Sequence, residues 1–175
     1  MLFRSLPSRT EAGVLVVDRD EELFRVVREL AGSQCPVVYA ADLEAAIAAI
    51  QKQEIAVVIT DVESGEDQLS AMLKLLKQEH PAIQTIVATR ASDSELVIEL
   101  INQAQIFRFL NKPVNVRLLK NHMLAALQRY LACRQVPGLT RAQRVQSAGA
   151  VRSSSLGQRI LAGIGSLKGK WFGGG

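Results

Sequence analysis

The sequence predicts an α/β protein, a doubly wound five-stranded parallel sheet with helices on both faces. Three observations carry that expectation. Five short apolar runs of strand character alternate with segments whose apolar residues recur at helical spacing. The runs are nearly continuous in Val, Ile and Leu, as strands buried on both faces must be. Two of them, Val14 to Val17 and Ala56 to Thr60, lead directly into an aspartate, Asp18 and Asp61. Open α/β sheets hold their ligands at the carboxyl ends of the strands, so both acids are expected at one edge.

The elements follow in order. Residues 1–13 contain Ser5, Pro7, Ser8 and Gly13 without sustained periodicity and read as a flexible lead-in. After the first strand, Leu23, Val26, Val27 and Leu30 predict a helix over Glu21 to Ala31, stopped by Gly32. Val37 to Ala40 is the second strand. Asp42 is a good N-cap for a helix from Leu43 to Gln51. Ala56 to Thr60 is the third strand, and residues 62–67 form an acidic loop. Leu69, Met72, Leu73 and Leu76 predict a helix ending near Glu79, before Pro81. Ile83 to Ala88 is the fourth strand. Ser92 and Glu95 form a capping box for a fourth helix carrying Leu96, Ile98, Leu100 and Ile101. Ile106 to Leu110 is the fifth strand, and Val114 to Cys133 a long fifth helix. Alternation of this kind specifies parallel strands joined by right-handed crossovers.

Composition narrows the class. The 175 residues are 48% hydrophobic and 22% charged, the balance of a globular domain with room for extensions. Cys35 and Cys133 form no CxxC motif and read as reduced, cytosolic thiols. No apolar run approaches a membrane span, and no signal-peptide core is expected at the N-terminus. The net charge of +4 hides an asymmetry. Residues 1–99 carry 9 Lys/Arg against 17 Asp/Glu, whereas residues 100–175 carry 12 Lys/Arg and no acid. Such a dipolar chain is expected to present its basic part to an acidic partner or anionic surface.

Four residues then fall at the ends of successive strands: Asp61, Thr89, and Phe109 with Lys112 before Pro113. With them, residues 14–133 resemble the CheY-like receiver domain of two-component response regulators. The resemblance implies a flavodoxin-like strand order of 2-1-3-4-5. It implies that Asp61 is the phosphoacceptor, that Thr89 and Lys112 sense the phosphoryl group, and that Phe109 is the switch aromatic. It also implies a Mg²⁺ site made by Asp18, Asp61 and the backbone carbonyl of Glu63, and a cis peptide before Pro113. Asp20 is a further candidate ligand whose side chain need not face the same pocket. The string Phe107 to Pro113 looks most like receivers joined to cyclic-dinucleotide phosphodiesterases. Phosphoryl transfer to a carboxylate needs in-line geometry and neutralisation of the equatorial oxygens, which is what these residue types supply.

Two residues depart from the pattern. The family carries a second acid directly after the first, and Arg19 stands there instead. A guanidinium inverts the local charge and is expected to weaken or abolish Mg²⁺ binding if it occupies the metal site. Arg90, after Thr89, takes a place usually held by a small residue. The loop after Asp61 also lacks proline, and Gly65 comes one residue earlier than the family's Pro-Gly turn would place it.

Residues 134–155 read as a basic linker, and residues 156–175 as a short amphipathic basic tail. In the tail, Leu156, Ile160, Leu161, Ile164, Leu167 and Trp171 recur at roughly helical spacing among Arg159, Lys168 and Lys170. Gly157, Gly163 and Gly165 each weaken such a helix by about 1 kcal/mol relative to alanine, so ordering needs a partner or surface. Self-packing, partner docking and an anionic membrane are the alternatives for residues 156–172.

Two functions remain open at this stage. One is a stand-alone receiver that accepts a phosphoryl group from a histidine kinase or phosphotransfer protein and signals in trans to a downstream protein. The other is a phosphorylation-independent pseudo-receiver acting as adaptor or scaffold. A homodimer through the fourth helix, fifth strand and fifth helix suits either. DNA binding is not expected, since the tail has no helix-turn-helix pattern. Nor is a conventional enzyme, because a receiver acts chemically only on its own aspartate. A cytoplasmic location, peripheral to the membrane if the tail binds lipid, fits both.

Overall fold

The computed structural model describes residues 10–61, 67–90, 98, 100–102 and 104–136. Their order is β1 (Gly13–Val17), α1 (Glu21–Ala31), β2 (Val37–Ala40), α2 (Leu43–Lys52), β3 (Ile55–Asp61), α3 (Asp67–Glu79), β4 (Gln84–Thr89), β5 (Arg108–Asn111) and a C-terminal helix (Val116–Gln135). Residues 98 and 100–102, between β4 and β5, are helical. The capping box proposed at Ser92 to Glu95 lies outside the described residues, as does the tail. The strands form one sheet in the order β2-β1-β3-β4-β5, all neighbours parallel.

Strand side chains alternate between faces, and the burial follows that period. Val14, Val16, Val57, Ile59, Ile86, Ala88 and Leu110 pack with Leu23 and Val27 of α1 and with Leu119, Met123 and Leu127 of the C-terminal helix. Leu15, Val17, Val58 and Val87 point to the opposite face, against Ala46 and Ile47 of α2 and Met72, Leu73 and Leu76 of α3. Continuous aliphatic runs are therefore required, because both faces are covered. Each such fully buried Val, Leu or Ile contributes about 1.5–3 kcal/mol.

Local chemistry sets the helix ends. Asp20 caps α1 by accepting the Glu22 N–H at 2.9 Å, and Asp42 caps α2 by accepting the Ala45 N–H at 2.8 Å. Gly32 closes α1 at φ 55°, where its N–H reaches the Arg28 carbonyl; a side chain would be strained at that angle.

Several boundaries differ from expectation. The lead-in is tied down by Thr10, whose N–H donates to the Gln34 carbonyl, and β1 starts at Gly13, whose N–H donates to the Glu54 carbonyl. Asp67, expected in the acidic loop, is the first residue of α3. The fifth strand begins at Arg108 rather than Ile106, and the C-terminal helix at Val116, because Asn115 rather than an earlier residue accepts the Leu118 N–H. That helix runs on to Gln135.

Candidate functional site

Strand register assembles the site. Val17 lies beside Thr60, so Asp18 and Asp61 emerge together at the carboxyl edge of the sheet. Asp61 lies beside Ala88, which delivers Thr89 to the same edge, and Thr89 lies beside Asn111, which delivers Lys112. The Lys112 N–H donates to the Thr89 carbonyl at 2.9 Å, locking the end of β5 to the end of β4. Residues scattered across 95 positions of sequence thus converge because parallel strands all end on one side.

The side chains complete the arrangement. Lys112 Nζ donates to Asp61 Oδ2 at 2.5 Å and lies 3.6 Å from Asp18 Oδ2. The three side chains are only 18%, 14% and 6% exposed for Lys112, Asp61 and Asp18, so the ammonium neutralises two carboxylates largely out of water. Asp18 Oδ1 accepts the Asp20 N–H at 3.0 Å, which fixes its carboxylate. Asp61 Oδ1 is buried and has no hydrogen-bond partner among the described residues. One oxygen of Asp61 is therefore held while the other keeps its lone pairs.

The remaining candidates are placed as follows. Thr89 is buried at 2% exposure beside the cluster's anchor point. Phe109 is half-buried against the core cluster that contains Val87. The Lys112–Pro113 peptide is cis. Arg19 and Arg90 are both exposed. Asp20 is also exposed, and its carboxylate is given to the α1 cap. Glu63 lies outside the described residues. Sequence reasoning missed that the backbone of Asp20 orients Asp18; the Asp-x-Asp spacing, typical of an Asx-turn, was the available signal.

A divalent cation fits this donor set. Asp61 Oδ1 offers a buried acceptor that no described residue uses, and Lys112 reaches both acids, so one cation contacts both. Asp18 and Asp61 are the two carboxylates available; among the described residues no group of three or more His, Cys, Asp or Glu gathers. A cation site with two carboxylates and a resident ammonium holds Mg²⁺ more weakly than one with three acids.

Comparison with known proteins agrees with this geometry. The model of the response regulator receiver domain matches residues 14–124. The chain belongs to the response regulator receiver domain family. Among solved structures, it resembles the signal receiver domain of an HD domain-containing protein from Pseudomonas fluorescens Pf-5, at 22% identity and TM-score 0.64, over 70% of this chain and 99% of that one. A CheY-like receiver domain protein from Methanospirillum hungatei JF-1 matches at 21% identity and TM-score 0.62, over 70% and 98%. A receiver domain protein from Clostridium thermocellum matches at 26% identity and TM-score 0.57, over 67% and 95%. The search of curated proteins returned no match. Receiver domains in general bind Mg²⁺ and exchange phosphoryl groups with histidine kinases or phosphotransfer proteins. Among the described residues, no helix is long and apolar enough to cross a membrane.

Proposed function

We propose that this receiver is a phospho-switch in which Asp61 accepts a phosphoryl group from a histidine kinase or phosphotransfer protein and passes the signal by protein contact. The observation that carries the reading is the split environment of Asp61, with Oδ2 held by Lys112 and Oδ1 buried without a partner among the described residues. A carboxylate oxygen of Asp61 forms the new O–P bond as the N–P bond of a phosphohistidine breaks, and the bonding pair leaves on the imidazole nitrogen. Lys112 stays on hand for a phosphoryl oxygen, and Thr89 supplies a hydroxyl from the adjacent strand end. Asp18 and Asp61, with the Glu63 carbonyl, would hold Mg²⁺, which when bound neutralises charge on the phosphoryl oxygens. The added charge of about −1.5 to −2 draws the Thr89 strand end toward Asp61 and lets Phe109 turn inward, biasing a two-state surface.

A second reading has its own observation. Lys112 already reaches both Asp18 and Asp61, and with Arg19 in place of an acid this is a charge cluster content without metal or phosphate. It suits a pseudo-receiver that acts as an adaptor. Beryllofluoride binding followed by fluorine NMR separates the two. The phospho-switch predicts a Mg²⁺-dependent bound resonance that disappears in Asp61→Asn; the pseudo-receiver predicts none in the wild type.

A further inference from the structure

At the end of the sheet opposite Asp61, a groove of about 360 Å³ opens between the starts of β3 and β4 and the C-terminal helix. Ile50, Ile55, Pro81, Ala82 and Ile83 make it apolar, and Glu54, Glu79 and His80 stand exposed around it. Its wall is braced by an unusual contact. Glu54 Oε1 accepts the Tyr130 hydroxyl at 2.6 Å and also pairs with Arg134, so the last turns of the C-terminal helix are pinned to the start of β3. The chain leaves that helix at Val136, which is 52% exposed, six residues past Tyr130 in the groove wall.

We infer that this groove is the docking site of the chain's own basic tail, residues 156–172. Three features of the molecule select that occupant. The described chain ends at Val136, just past Tyr130 of the groove wall, and the 20 residues from 136 to 155 reach much farther than the return requires. Residues 156–172 carry Arg159, Lys168 and Lys170 and no acid, and the groove rim carries Glu79 beside Glu54, which already pairs with Arg134. Leu156, Ile160, Leu161, Ile164, Leu167 and Trp171 form an apolar stripe that an isolated glycine-containing helix cannot bury alone, and a groove of about 360 Å³ takes one or two of those side chains as anchors. Docked there, the tail sits at the pole remote from Asp61, and its cations stay away from the acidic phosphoacceptor edge. This goes beyond the phospho-switch reading and does not depend on it.

Trp171 is the single tryptophan of the chain, so its fluorescence reports the tail directly. The experiment compares emission maximum and acrylamide quenching of full-length protein with those of Ala82→Arg, which fills the groove mouth, and of Ile164→Glu, which leaves the described fold untouched. The expected result is a blue-shifted, weakly quenched Trp171 at every protein concentration, red-shifted and strongly quenched in both variants. Equal, strong quenching in the wild type and both variants overturns the proposal. Shielding that grows with protein concentration overturns it in favour of a second copy, and shielding that appears only with anionic phospholipid vesicles overturns it in favour of a membrane.

Discussion

Lys112 is the residue on which the site's electrostatics turn. It is the cation that compensates two nearly buried carboxylates, and removing one member of such a set leaves charge uncompensated. Lys112→Ala is expected to cost roughly 3 kcal/mol, measured by urea unfolding. Asp61→Asn in the same background should recover part of that loss, since it removes one of the charges left behind. Tyr130 makes a different residue-scale prediction. Burial first, and then its hydrogen bond to Glu54, push its hydroxyl up to about 12 from an ordinary 10. An unfolded chain gives up that proton near 10 while the folded chain keeps it, so stability falls as pH rises between 10 and 12. Tyr130→Phe should cost about 1 kcal/mol at neutral pH and should lack its share of that alkaline decline.

At the scale of elements, caps and partly desolvated histidines decide where stability resides. Asp20 caps α1 through its side chain and orients Asp18 through its N–H. Asp20→Ala should therefore cost about 1 kcal/mol by thermal unfolding while leaving the Asp18 anchor intact. His80 and His122 lie below their ordinary value of 6.5, both mainly through partial desolvation of the ring, with Arg108 adding to the effect at His122. Below 6.5 the unfolded chain binds protons that the folded chain resists, so stability should fall as pH drops through the window just under that value. Replacing both histidines by glutamine should flatten that part of the stability profile. The elements themselves were legible because each depends on a local pattern: the Val/Ile runs, the capping aspartates, the closing Gly32. Their exact ends were less so. Gly13 joins β1 because Glu54, far along the chain, accepts its N–H, and Asp67 joins α3 for reasons that composition does not carry. Likewise the landmarks Asp61, Thr89 and Lys112 were readable from strand ends, whereas the reach of one lysine to two acids depends on register. The Glu54–Tyr130–Arg134 brace spans 80 positions and left no local signal.

The whole molecule combines an acidic sheet edge around Asp18 and Asp61 with a basic C-terminal half. Asp18, Asp20, Glu21, Glu22 and Asp61 all belong to the net acidic first 99 residues, and no acid follows Glu99. Encounter with a kinase or phosphotransfer partner at that edge should be faster for a basic docking face and slow as salt rises. Arg19 is the one cation in the β1–α1 connection, and it stands where the family pattern has an acid. Arg19→Asp should therefore tighten Mg²⁺ binding, measured by calorimetry, without altering the fold. The most direct test of the central claim is intact-mass detection of acetyl phosphate labelling in Mg²⁺, comparing the wild type with Asp61→Asn and Arg19→Asp. The phospho-switch predicts a single phosphoryl adduct on the wild type that is lost in Asp61→Asn. An unlabelled wild type, with labelling restored only by Arg19→Asp, would contradict it and leave a receiver whose metal site that arginine has disabled.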